Sequence, residues 1–249
     1  MPDAKETARA SGGMRISAIV PLYNTRAYIA EAIDSILAQT RPPDEIVVVD
    51  DGSTDGSPDL VAGYAPRVRL FRQAHAGSST ALNLGIVETT GDAIAFLDAD
   101  DLWERDKLEM QEAVLLAEPE TDCVFGLVQQ FGHGSAEGSA RMPKEPQRGV
   151  SRISLLIRRT AFQRFGLFDA TLRVADFVPW YAHAVALGLK VRMMERVVAH
   201  RRIHGANSGI TQRDQQQQES LLGLKRALDL RRRRSGPAPS EDAKARDQD

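Results

Sequence analysis

The sequence predicts an α/β domain with a doubly wound, mostly parallel sheet, and three observations carry that expectation. β-rich runs at Ile16–Val20, Glu45–Val49 and Val68–Phe71 alternate with segments of helical periodicity. The second run, EIVVV, is nearly unbroken β-branched sequence, the composition of a strand buried on both faces. A fourth apolar run, Ile94–Leu97, ends abruptly in Asp98, Asp100 and Asp101. Ligands of such sheets bind beyond the carboxyl ends of the strands, where Pro21–Asn24, Asp50–Asp55 and Asp98–Asp101 would gather in one crevice.

The elements follow in order. ISAIV is expected to stop at Pro21, and Tyr28, Ile29, Ala32, Ile33, Ile36 and Leu37 recur at helical spacing until Arg41-Pro42-Pro43. Ser57 is expected to cap a helix with Pro58 at its first position. Gly77–Gly85 reads as a small-residue helix start, either facing phosphate with its N–H groups or packed tightly in the core. After Trp103 a helix is expected to Glu118, then a strand over Cys123–Val128. Gly132–Gly149, rich in Gly, Ser and Pro, reads as a lid or a disordered loop. Structure resumes at Ile153–Ile157, with helices at Ala161–Phe165 and Asp176–Leu187, the latter closed by Gly188. Val191–Met194 and Val197–Ala199 read as two separate strands.

The chain has 249 residues, enough for one continuous core. Its 32 Lys plus Arg against 34 Asp plus Glu give no basic surplus, so no nucleic-acid partner is expected. The single cysteine, Cys123, lies in the apolar run CVFGLV, reads as a core residue and fits a reducing cytoplasm. The polar start MPDAKETARASGG has no apolar signal core, and no transmembrane segment is expected. The expected division is a flexible lead over 1–14, one α/β domain over 15–210, a C-terminal helix over 211–234 and a disordered tail over 235–249. That helix is read as amphipathic, with Leu221, Leu222, Leu224, Ala227, Leu228 and Leu230 before Arg231–Arg234, a pattern suited to peripheral membrane contact.

Asp98 and Asp100 stand two apart at a strand end, so their side chains are expected on the same side. Hard oxygen ligands suit Mg²⁺ or Mn²⁺, and a cation held there is well placed for a diphosphate. The alternative for Asp101 is to cap a helix beginning near Leu102.

VPLYN at Val20–Asn24, VVVDDGSTDGS at Val47–Ser57, ALNLGI at Ala81–Ile86 and GDAIAFLDADDLW at Gly91–Trp103 occur in that order. With these motifs the chain resembles the family 2 glycosyltransferases of GT-A fold, over roughly Ile16–Ser208. The resemblance implies a nucleotide-binding N-terminal half and an acceptor-binding C-terminal half. It implies a nucleotide-sugar donor, most simply a UDP-sugar, and transfer of one sugar to an acceptor hydroxyl by a metal-assisted inverting displacement. By resemblance, Pro21 and Tyr23 lie at the base, Asp50 and Asp51 bond base or ribose, Ser53 lines the same pocket, and Asp98 contacts sugar or ribose. Asp100 would hold the metal, with His204 completing its shell unless that histidine is a structural strand end.

The same resemblance places the general base after a Gly-x-Phe-Asp turn. Phe165–Asp169 followed by Asp176 near Trp180 fits, with a helix N-cap as the alternative role for Asp176. The chain departs from the family at Ala175-Asp176-Phe177-Val178-Pro179, where many relatives have Glu-Asp-x-Asp, and at Leu82, where an Arg often precedes the Asn. Those departures keep open a nucleotide-sugar-binding protein that has lost catalysis. The Gln-x-x-Arg-Trp motif of processive synthases is absent, and a dinucleotide-dependent oxidoreductase would need Gly-x-Gly-x-x-Gly where PLYN stands. His75, His133, His183 and His200 read as structural or surface residues.

Overall fold

The computed structural model describes residues 12–132, 143, 145–172, 175–205, 207 and 213–235. Most of the expected lead, of the Gly132–Gly149 loop and of the tail lies outside the described residues. The order is β1 (Ile16–Leu22), α1 (Ile29–Leu37), β2 (Glu45–Asp50), α2 (Ser57–Ala62), β3 (Val68–Arg72), α3 (Ser78–Glu88) and β4 (Ala93–Phe96). Then come β5 (Leu102–Trp103), α4 (Lys107–Ala117), β6 (Cys123–Gly132), a 3₁₀ turn (Arg152–Ser154), β7 (Leu156–Arg158), α5 (Arg159–Phe165), α6 (Phe177–Ala186), β8 (Val191–Ile203) and α7 (Arg213–Ser235).

One eight-stranded sheet runs β3-β2-β1-β4-β7-β6-β8-β5. The β3-β2-β1-β4 half is parallel throughout, β7 is antiparallel to both its neighbours, and β6 and β8 pair in parallel. Alternation along β1 explains why both faces need covering. Ile16, Ala18, Val20 and Leu22 pack with Ile29, Ile33 and Ile36 of α1, while Ile19 turns to the opposite layer with Leu82 and Ile86 of α3. On that second face a Cβ at Gly85 would stand 2.5 Å from Ile19 Cγ2, so the small residue lets α3 lie close on the sheet.

β1 does not stop at Pro21 as expected but continues to Leu22, paired with β2. The Ile19 carbonyl accepts from Leu97 N–H and the Leu22 carbonyl from Asp51 N–H, so successive residues face alternate neighbours. Pro21 therefore turns its missing donor toward β4, which has already ended at Phe96. Ser57 does not cap α2 either. Gly56 is the cap residue, and the Ser57 N–H and hydroxyl both donate to Asp55 Oδ1. The two strands expected over 191–199 are one, β8, whose exposed Glu195 and Arg196 interrupt the apolar pattern without interrupting the strand. Its register against β6 shifts around Leu127.

The C-terminal helix α7 packs on α6 through small residues. Gly223 and Ala227 are buried, and a Cβ at Gly223 would fall 2.2 Å from Pro179 Cβ. Leu221, Leu222, Leu224 and Leu228 stay exposed, so the leucines do not form the packed face. No helix among the described residues is long and apolar enough to cross a membrane.

Candidate active site

The acidic cluster forms because β4 ends before it. Beyond Phe96 the chain closes a turn in which the Asp101 N–H donates to the Asp98 carbonyl at 3.1 Å. This turn, rather than strand alternation, brings one carboxylate oxygen each from Asp98, Asp100 and Asp101 within 4.8 Å of one another. Asp101 does not cap a helix, because Leu102–Trp103 is strand β5 and α4 begins only at Lys107. Its Oδ1 accepts the Arg202 N–H at 2.7 Å. Burial, then the charges of Asp98 and Asp100, push the Asp101 carboxyl well above its ordinary range. Three converging hard oxygen donors with such mutual repulsion fit a divalent cation.

Asp100 has partners from the end of β8 and the residues after it. His204 Nε2 lies 3.0 Å from Asp100 Oδ2, the Asn207 amide donates to the same oxygen at 3.1 Å, and the His204 ring leans on Tyr28 at 4.7 Å between centroids. The Arg202 guanidinium lies against both Tyr28 and Phe131, donating to the Asp100 carbonyl and to Glu31.

The first acidic motif proves densely engaged. Asp50 is fully buried, accepting from the Ser53 N–H at 2.9 Å and from Arg72 Nε at 3.1 Å. Asp51 accepts from the N–H groups of Ala76 and Gly77 and from the Gln73 amide, and its Oδ2 lies 2.9 Å from His75 Nδ1. These contacts fold residues 73–77 back over the end of β2 and consume the N–H groups just before α3. Ser53 Oγ accepts from the Asn24 N–H, binding the loop after β1 to the loop after β2. Pro21 is partly buried, while Tyr23 is 47 % exposed and stacks on His75 with 4.2 Å between ring centroids.

Asp176 stands before α6 without capping it by its side chain. Its carboxylate instead faces Arg152 Nη1 with both oxygens and accepts from Ser78 Oγ at 2.6 Å. Arg152 also donates from Nε to Asp98 Oδ1 at 2.7 Å. One guanidinium thus joins the acidic cluster to the expected base. The Phe165–Asp169 turn is fixed by Asn83, which donates to the Phe168 carbonyl at 2.9 Å and accepts the Phe168 N–H at 3.0 Å. Trp180 Nε1 donates to the Gly166 carbonyl at 2.7 Å. Leu82 is fully buried and offers nothing to the crevice.

The sequence marks no role for Arg152 or Arg202 and reads His75 as a structural or surface residue. Neither motif spacing nor periodicity marks them; the only signal was their lying near β-strand ends that point to one crevice. Cys123 is buried, its thiol pushed up by burial and then by Asp122, and serves the core. His200 pairs with Glu104 at 2.7 Å.

A doubly wound sheet with acidic turns at the ends of β2 and β4 defines an α/β class whose ligands bind beyond the carboxyl ends of the strands. Glycosyl transferase family 2 matches residues 17–173, and the chain belongs to that family. An uncharacterized glycosyltransferase of Nostoc sp. is 33% identical over 239 residues, covering 85% of this chain and 72% of its own. Among solved structures, the mannosyltransferase PcManGT from Pyrobaculum calidifontis, in complex with GDP-Man and Mn²⁺, has a TM-score of 0.65 at 27% identity. That likeness covers 91% of this chain and 66% of PcManGT. S. aureus TarS 1–349 in complex with UDP-GlcNAc has a TM-score of 0.62 at 20% identity, covering 77% of this chain and 59% of TarS, and supports the GT-A fold. The chain spans 57% of two Rickettsia relatives and 37% of the longer TarS chain.

Proposed function

We propose that the protein transfers one sugar from a nucleoside-diphosphate sugar, most simply a UDP-sugar, to an acceptor hydroxyl by a single inverting displacement. The observation that carries this reading is the convergence of Asp98, Asp100 and Asp101 within 4.8 Å, with Asp98 linked through Arg152 to Asp176. The binding of GDP-Man with Mn²⁺ by PcManGT supports the same donor chemistry.

In this reading Tyr23 and His75 offer a ring surface to the base, and Asp100 with His204 holds Mn²⁺ or Mg²⁺. Asp98 faces the sugar. When bound, the cation supplies positive charge beside the leaving diphosphate. Asp176 takes the proton of the acceptor hydroxyl while that oxygen bonds to the anomeric carbon. The bond from this carbon to the phosphate oxygen breaks, and its electron pair leaves with the nucleoside diphosphate. Attack opposite the leaving group inverts the anomeric centre. A reducing cytoplasm suits the buried, unpaired thiol of Cys123.

Calorimetric titration with UDP-glucose, UDP-GlcNAc and GDP-mannose, each with Mn²⁺ and with chelator, tests the donor. Turnover by the parent and by Asp176→Asn tests the base. Loss of a general base costs about 10² to 10⁴ in rate, whereas donor affinity should persist. The ion pair with Arg152 means the variant should also melt lower, so donor binding is the control for integrity. Donor binding without turnover in the parent would favour a second reading, a nucleotide-sugar-binding protein without catalysis. Ala175, which replaces an acid, and the fully engaged Asp176 carboxylate are the observations behind it.

A further inference from the structure

Arg152 belongs to no motif, yet its surroundings are built with unusual care. The 3₁₀ turn that carries it and the residue after it present three successive carbonyls to the interior. Trp103 Nε1 donates to Ile153 at 3.1 Å, the Gln111 amide to Ser154 at 2.7 Å and Lys107 Nζ to Leu155 at 3.1 Å. All three donors come from the segment immediately after the acidic cluster. Lys107 is fully buried for this purpose, and burial lowers its pKa well below the usual lysine range. Buried donors of this kind hold a backbone in one place, because leaving any of the partners unpaired is costly.

The side chain is equally constrained. It is 19% exposed and reaches Asp98 through Nε and both oxygens of Asp176 through Nη1. Burial acts to lower its pKa, but the charges of Asp176 and Asp98 outweigh that and raise it above the ordinary arginine value. The planar guanidinium fixes two directions at once, which a lysine ammonium does only loosely. The Ser78 hydroxyl also donates to Asp176 Oδ2. The carboxylate is thus set in one orientation by groups on α3 and on the 3₁₀ turn.

We propose that Arg152 is a positioning residue for transfer: it fixes the Asp176 carboxylate relative to donor-side Asp98 and remains on Asp176 while the donor is bound. This rests on the reading of Asp176 as the base. Its consequence is that the geometry of the reacting groups, not donor affinity, depends on Arg152.

The test compares the parent with Arg152→Gln, Arg152→Lys and Asp176→Asn in Mn²⁺. Hydrolysis of UDP-GlcNAc and GDP-mannose is measured, water standing in for the acceptor, alongside calorimetric binding of UDP. Misplacement of a reacting group by about 1 Å costs on the order of 10²-fold. The expected result is a kcat lower by about that factor in Arg152→Gln, partial recovery in Arg152→Lys, and UDP affinity within about threefold of the parent. Added guanidinium ion should raise the rate of Arg152→Gln and leave the parent unchanged, a response that a merely structural defect would not give. Parental or faster turnover by Arg152→Gln overturns the proposal, the faster result making the ion pair an inhibitory contact. If Asp176→Asn is slow while Arg152→Gln is normal, only the role of Arg152 fails; if Asp176→Asn is normal, the base assignment fails. A crystal structure of the UDP–Mn²⁺ complex decides independently of turnover: a guanidinium moved from Asp176 to the diphosphate also overturns the proposal.

Discussion

His204 Nε2 stands 3.0 Å from Asp100 Oδ2, joining residues 104 positions apart at the mouth of the crevice. If this pair holds the cation, Asp100→Ala should abolish the Mn²⁺-dependent part of UDP affinity. His204→Ala should weaken it by about 10- to 100-fold, the usual cost of disturbing the groups around a metal. Calorimetry with and without chelator reads both. Equal UDP affinity for Asp100→Ala and the parent in Mn²⁺ would place the cation elsewhere.

Asp101 predicts a pH dependence. Its carboxyl titrates above its unfolded value, so its contribution favours the fold below about pH 4, the unfolded range, and is lost as pH rises through the raised folded value. In chelator-containing buffer the parent should therefore lose stability relative to Asp101→Asn as pH rises above about 4 through the raised folded value. Mn²⁺ should reduce the difference by neutralising the cluster. Melting curves of both proteins across this range check it; a gap that does not widen with pH would remove the repulsion argument.

Asp51 organises residues 73–77 before it touches any ligand. Asp51→Ala leaves the part-buried N–H of Ala76 and the buried N–H of Gly77 without their acceptor, at about 1–3 kcal/mol each. At roughly 2–4 °C per kcal/mol the melting temperature should fall by about 4 °C or more. UDP affinity should fall with it, with or without metal, because His75 and the stacked Tyr23 lose their support. An affinity loss at unchanged melting temperature would instead assign Asp51 to direct ligand contact alone.

Asn83 ties α3 to the turn that precedes Asp176. Asn83→Ala removes both hydrogen bonds to the Phe168 backbone and should cost about 2 kcal/mol, or roughly 4–8 °C in melting temperature. Turnover should fall more than UDP affinity if Asp176 is the base, since the displaced segment leads to Asp176. Scanning calorimetry and kinetics on one preparation separate the two effects.

The sequence by itself determined the repeating strand–helix units, because period-two and period-3.6 burial are written in local composition. It also placed the ends of β2 and β4 to within one residue, because Asp50, Asp51, Asp98, Asp100 and Asp101 follow apolar runs that must be buried. Expected boundaries failed where a neighbour decided the outcome: Pro21 is tolerated in β1 only because β4 stops short of it, and Leu102–Trp103 is a strand only because β8 lies beside it. Only the tertiary structure decided the partners within the crevice. Arg152 meets Asp98 and Asp176 across separations of 54 and 24 residues, and His75 meets Tyr23 through a loop folded onto Asp51. Such contacts leave no periodic trace, because a single guanidinium or imidazole gains its role from charges brought to it by distant strand ends, and those distances exist only once the sheet has closed.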